Sequence, residues 1–482
     1  MIEFLLAAVV VFLYGDRPVD PDDGIRITRN YAAEWNERIA AIPAEDRAWP
    51  VYREAIGLLE PQPAAWRLDD EFEWPAEPGG HRWDEVVAYL DRNERVFELL
   101  REASGRARMG YPVWPRSDDP GEAGEFVPAR PEEAVLPGPE SFDFTQADLA
   151  ALGSFRRFAR VLTTDIRRAI EVGDAERATV DLEVMLGMSR HLYDQGMLIS
   201  SLVGVAIDSL AIGTLQEALG DSPGFFSAAQ YRRLRDALLR VESRSIIAGS
   251  LEFERFMFLD TVQRTYGEGA NGMILGEQFM QVSQLYGGSE FESLGDLWRA
   301  ARRAETVEVY EEGLQQVSRM LEGDPWDEAT WRLGDIRGML GERGGRKRHP
   351  LVWLYMPAMD RAVQVAFLRE TRIAAAALAI EAELHRREHG AYPATRADFS
   401  ERVRAGWPLD PFDGEPLRYA LRDAWPRIWS IGEDRDDDGG ERSSREPPVH
   451  FNPIAWRDAV REDPTLADKV NGDWVLFPPK PD

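Results

Sequence analysis

Between residues 144 and 349 apolar side chains recur three and four positions apart with few breaks, a spacing that places them on one face of an α-helix. Ile166 and Ile170, then Leu182, Met185, Leu186 and Leu192, then residues 198–215, mark consecutive amphipathic helices. Gly173-Asp174 reads as a tight turn between the first two, and helices joined this closely are expected to run antiparallel. No repeat of fixed length recurs, so the expected architecture is an irregular helical array. The same periodicity covers residues 25–110, punctuated at Pro43, residues 61–63 and residues 75–80. Residues 198–219 are apolar enough to be tested as a membrane span. Asp208 at their centre and the small residues around it favour a buried helix inside the protein.

At 482 residues the chain exceeds what one hydrophobic core commonly serves, so two to four folding units are expected. The divisions fall at an apolar opening (1–15), a Trp-rich helical region (25–110), a Pro- and Gly-rich linker (111–143), the helical array (144–349) and an α+β tail (350–477). Between Ser117 and Asp143 the linker has eight acidic residues against Arg130 alone, the composition of a solvated segment. The formal net charge is −28, which argues against nucleic-acid binding and against electrostatic attachment to anionic lipid. There is no cysteine, which excludes disulfides, thiolate metal sites and cysteine nucleophiles. Trp35, Trp49, Trp66, Trp74, Trp83 and Trp114 crowd the first third; they read as helix packing, with an aromatic binding face as the alternative.

Residues 2–14 are apolar apart from Glu3 and are followed at once by an acidic, Pro-containing stretch. The run is shorter than the ~20 residues that span a bilayer, and it has the length of a signal-peptide core. It reads as an export or anchoring segment, although a basic n-region and a small-x-small cleavage site are missing, for which a start upstream of Met1 is one explanation; the alternative is a buried first helix or strand.

From Pro350 to His389 one long helix is expected, with Pro near its start and Gly390 just past its end. Met359, Val363, Ala366, Ile373, Ala377, Ile380 and Leu384 form its apolar stripe, which should lie on a sheet. Leu417, Tyr419 and Leu421 then alternate with polar residues, and Trp429 and Ile431 flank Ser430. Two short half-buried strands joined around Trp425-Pro426 follow from that pattern. Three phrases here, residues 388–393 (EHGAYP), 409–419 (LDPFDGEPLRY) and 427–440 (RIWSIGEDRDDDGG), resemble in order and spacing the major (G-type) pseudopilins of type II secretion systems. The resemblance covers about a quarter of the chain. It implies a long helix packed on a small antiparallel sheet, with an acidic loop that binds calcium and staples the C-terminal strands. In that family the helix opens the chain and anchors it; here it is internal and charged, so fibre assembly is not implied. The helical remainder resembles uncharacterised envelope proteins of planctomycete-type bacteria, a likeness that implies no activity.

Three motifs carry possible chemistry. Asp434-x-Asp436-x-Asp438-Gly439 has the alternating carboxylates of a calcium loop, in which side chains two apart converge on one hard cation. Its twelfth position is Arg445, so it is no EF-hand, and the competing reading is a solvated acidic turn. His385-x-x-Glu388-His389 spells an inverted zinc-peptidase motif, although a helix end beside Gly390 explains the same residues without metal. Gly267-x-Gly269-x-x-Gly272 spells a dinucleotide fingerprint but follows a helix, and so reads as a loop. The expected fold is mainly α with a small α+β tail. The expected role is an envelope-associated binding or structural protein, extracytoplasmic, with protein partners, no nucleic acid, membrane contact through the N-terminal segment and calcium in the tail. A zinc hydrolase and a cytoplasmic helical scaffold are the competing classes.

Overall fold

Asn30 caps the first helix by accepting the Ala33 N–H at 2.9 Å, and the chain is then helical for most of its course. The structure is a computed structural model and describes residues 27–68, 73–113, 149–269, 271–276, 278–279, 297, 299–333, 336–445, 447–448 and 451–479. The expected N-terminal anchor and nearly all of the acidic linker lie outside these residues. Helices α1 (Tyr31–Ala40), α2 (Trp49–Leu58), α3 (Trp83–Arg92) and α4 (Glu94–Ser104) make up the Trp-rich region. Its tryptophans pack inward: Trp35 meets Phe253 edge-on at 5.0 Å, Trp49 meets Tyr111 at 4.3 Å, and Trp66 meets Tyr89 at 5.4 Å. Trp114 is outside the described residues.

The array follows as α5 (Ala150–Val172), α6 (Ala175–Asp194), α7 (Leu198–Asp221), α8 (Ala228–Leu238), α9 (Ser243–Thr265) and α10 (Arg303–Glu322). The tight turn falls at Gly173-Asp174. Gly173 takes φ +80°, a left-handed conformation that residues with a side chain rarely adopt, and the Asp174 carboxylate accepts the Arg177 N–H to start α6. Among the described residues α7 alone is long and apolar enough to cross a membrane, yet 67% of its most apolar window is buried inside the protein. It is the central helix of the array, with α5, α6 and α9 around it.

The expected single helix from Pro350 is two. Pro350–Tyr355 stops at Met356, and α11 runs Pro357–His389, because a proline at 357 has no N–H to continue the ladder. Gly390, at φ +83°, ends α11 with its N–H on Arg386 O. The stripe of α11 was expected on a sheet; it lies mainly on α7, α9 and α8, and the sheet covers only a smaller part. The reason is that α11 is buried on more than one side: Ala375, Ala376, Ala379, Ile380 and Ala382 are all buried and small enough to admit close neighbours.

The sheet is antiparallel in the order β1 (Arg418–Arg422), β2 (Trp425–Ser430), β3 (Trp474–Phe477). The β1–β2 turn falls at Asp423-Ala424, both at positive φ, two residues earlier than expected; Pro426 sits inside β2 opposite Leu421. Helix α12 (Pro453–Glu462) precedes β3. The fold is thus mainly α with a small antiparallel sheet. One hydrophobic core runs from Ala48 to Phe477 through the array and the tail, and a satellite around Trp35, Val113 and Phe253 joins α1 to α9. Polar contacts join tail to array as well: Gln216 donates to Leu476 O at 2.9 Å, and Arg235 pairs with Glu381 at 2.7 Å.

Candidate functional site

The acidic loop starts where β2 ends. Asp410, fully buried, organises that corner: it accepts Ile431 N–H at 2.9 Å, Ser430 Oγ–H at 2.8 Å and Phe412 N–H at 3.0 Å, and it pairs with Arg418 at 2.7 Å. Gly432, Gly439 and Gly440 all take positive φ, which lets the loop fold back over β2 and meet the start of β3. There Gly472, at φ +110°, lies so close to Ser443 that a Cβ would sit 2.8 Å from the Ser443 nitrogen.

Asp473, unremarked in the sequence reading, is brought by this path against the loop. It is fully buried, and its Oδ2 accepts the Gly440 N–H at 2.6 Å. Its Oδ1 and Asp438 Oδ2 are buried with no hydrogen-bond partner. Asp434 is half-buried: Oδ2 accepts Gly472 N–H at 3.1 Å, and Oδ1 faces the Asp436 N–H at 3.5 Å. Asp436 points its side chain to solvent, and Asp437 is occupied by Trp429 Nε1–H and Gly439 N–H, each at 3.0 Å. Of the three residues picked out by spacing, the fold therefore draws Asp434 and Asp438 toward Asp473 and leaves Asp436 exposed. Among the described residues no three His, Asp or Glu side chains come together closely enough to hold a metal ion by themselves.

The electrostatics follow from this crowding. Burial, and then the charges of Asp437 and Asp438, push the Asp473 carboxyl up to about 7. Burial, with a contribution from Asp438, pushes Asp434 up to about 6. The arginines nearby are engaged elsewhere: Arg427 donates to Gly440 O, Arg435 to Phe412 O and Phe451 O, and Arg418 binds Asp410 and Asp413 and lies 3.6 Å from Asp437. The only signal for Asp473 in the sequence was its place between Gly472 and the apolar run 474–477.

The zinc motif is arranged differently. The rings of His385 and His389 stack face to face with centroids 4.1 Å apart, and Glu388 is exposed. His389 Nδ1 lies 3.1 Å from His385 O, as in a helix end closing on itself. The Gly267–Gly272 motif belongs to a reversal after α9, closed by Gly267 N–H to Met273 O at 2.9 Å, and among the described residues no βαβ unit surrounds it. Sequence reasoning also missed a buried pair in the array: Asp165 and Asp181, both fully buried, meet between α5 and α6, with Arg177 on the first and Arg101 on the second. No family model, no curated protein and no solved structure matches the chain.

Proposed function

We propose that the chain is an envelope-associated binding or structural protein whose pseudopilin-like tail is stapled by calcium. The observation that carries the reading is the pair of buried carboxylate oxygens without partners, Asp438 Oδ2 on the loop and Asp473 Oδ1 at the start of β3. A buried carboxylate oxygen without a donor is costly unless a proton or a cation answers it. Asp434, Asp438 and Asp473 would hold the ion, with backbone carbonyls and water completing a shell of about six to eight oxygens. Bound there, calcium would tie residues 434–440 to the β3 edge that closes the sheet. So few protein carboxylates suit the weak affinities of extracellular calcium modules, which agrees with the extracytoplasmic placement expected from the apolar opening run.

Isothermal titration with calcium, and melting with and without EDTA, test the staple. Heat of binding and a higher melting temperature in calcium are expected, both lost in Asp473→Asn. No heat and no EDTA effect would refute it. Fractionation of cells expressing the full-length chain tests the envelope placement separately.

A further inference from the structure

The chain's charge is unevenly spread. Residues 299–303 (RAARR) and 343–348 (RGGRKR) carry seven cations and no acid, in a chain with 57 basic and 85 acidic residues. The fold joins them: Ala301 N–H donates to Arg348 O at 2.7 Å, laying the two segments side by side at the start of α10. The Gly267–Gly272 reversal is added to the same place by Arg303 N–H on Gly272 O at 3.1 Å. Gly272 is required there, since a Cβ would lie 1.9 Å from Gly267 O. That reversal presents Met273, 48% exposed, beside Arg302 and Arg303.

Among the described residues the acids paired with this group are Glu305, held by Arg348 at 2.7 Å, and Glu312, held by Arg343 at 2.6 Å, and Arg299, Arg346 and Lys347 are engaged as well. Glu268, Glu308 and Glu342 adjoin it along the chain. Arg302 and Arg303 have no ion pair among the described residues; Arg302 reaches only Asn271 O, at 3.5 Å.

We propose that this arginine-rich patch, with Met273 at its edge, docks the protein on a phospholipid surface bearing anionic headgroups. Six of its seven cations are arginines, whose planar forks match phosphate oxygens. An exposed apolar side chain beside the cations is the composition of an interfacial contact, in which the apolar group enters the headgroup boundary. The net charge of −28 does not forbid it. At physiological salt, charges more than about 8 Å from the surface are largely screened, so the patch that touches the bilayer decides the sign. The inference extends the envelope reading and rests on it for the presence of a membrane. It does not involve the calcium corner, so either can fail without the other.

The test is co-sedimentation of the full chain with vesicles of phosphatidylcholine alone and of phosphatidylcholine mixed with phosphatidylglycerol. Tighter binding to the mixed vesicles, weakened by salt, is expected. R302E/R303E/K347E should lose on the order of tenfold on mixed vesicles and match the parent on phosphatidylcholine, where no anionic headgroup answers the cations. The milder R302Q/R303Q and Met273→Ser variants give the same direction if the triple reversal melts early. Equal binding to both vesicle types, or parental binding by the milder variants, overturns the proposal. So does displacement from mixed vesicles by duplex DNA that the protein binds through the same residues, which would assign the patch to a soluble polyanion.

Discussion

The helical array and the acidic loop both bury aspartates, and they answer the buried charge differently. In the array Asp208, 1% exposed at the middle of α7, receives Arg369 Nε from α11 at 2.7 Å and the Tyr193 hydroxyl at 2.5 Å. Asp165 receives Arg177 at 2.6 Å. Asp181 beside it receives Arg101 on Oδ1 at 3.1 Å while its Oδ2 is buried without a partner, and burial and then Asp165 raise its carboxyl well above the usual carboxylate range. In the loop Asp473 is as deeply buried, yet the nearby arginines are committed to carbonyls and to other aspartates. Parallel and antiparallel helices let a long arginine side chain reach across from a neighbour. A turn folded over a sheet edge presents backbone N–H groups instead, and one oxygen on each of two carboxylates is left over.

Removing the answer in the array should have the largest effect. Arg369→Ala leaves Asp208 buried without its cation and is expected to cost about 3–5 kcal/mol, read as a lower urea midpoint that calcium does not restore. A loss under about 1 kcal/mol would mean that Tyr193 and water suffice.

Glu254 sharpens the comparison through pH. It is 6% exposed in α9, caps α7 through the Leu198 N–H at 3.1 Å, and is pushed up to about 7 by burial. Its folded pKa is above its ordinary value, so the stability it adds is complete below about pH 4.5 and is lost as pH rises through 7. By pH 8 the loss approaches about 3 kcal/mol. Unfolding of Glu254→Gln and parent, compared from pH 5 to 8, should show the parent losing more stability than the variant; parallel curves would reject the assignment.

In the loop, calcium at about a hundred times its dissociation constant should add about 2.7 kcal/mol to the parent. Asp473→Asn should abolish that gain and, without calcium, leave stability unchanged or higher, because it removes a buried carboxylate rather than a paired one. A calcium-free protein strongly destabilised by this change would contradict the contrast with Asp208. The smallest effect belongs to exposed pairs: Arg38 and Glu252, about half exposed, meet at 2.7 Å, and Arg38→Ala should shift stability by less than about 1 kcal/mol.

Much of the helical course was legible because it depends on neighbours in the chain. The 3.6-residue period, the Gly173-Asp174 turn and the Gly390 stop act within a turn or two, and each appears where local chemistry places it. The break at Met356 was equally local and was overlooked, since Pro357 states it. Strand β3 was missed because residues 474–477 form an apolar run too short to distinguish from a buried helix segment by period. The candidate site was half legible: Asp434 and Asp438 follow from spacing, whereas Asp436, equally spaced, is turned to solvent.

By itself the sequence determined a cysteine-free, strongly acidic, mainly helical chain with a small β region and an acidic loop, because composition and period are properties of consecutive residues. The tertiary structure decided which distant charges meet. It put Arg369 on Asp208 across 161 positions, Asp473 behind Asp438, and two basic segments side by side in an acidic protein. It also made α11 a central helix of the array instead of a cover for the sheet. Each of these depends on which faces of separate elements pack together, and that choice belongs to the folding of the whole chain.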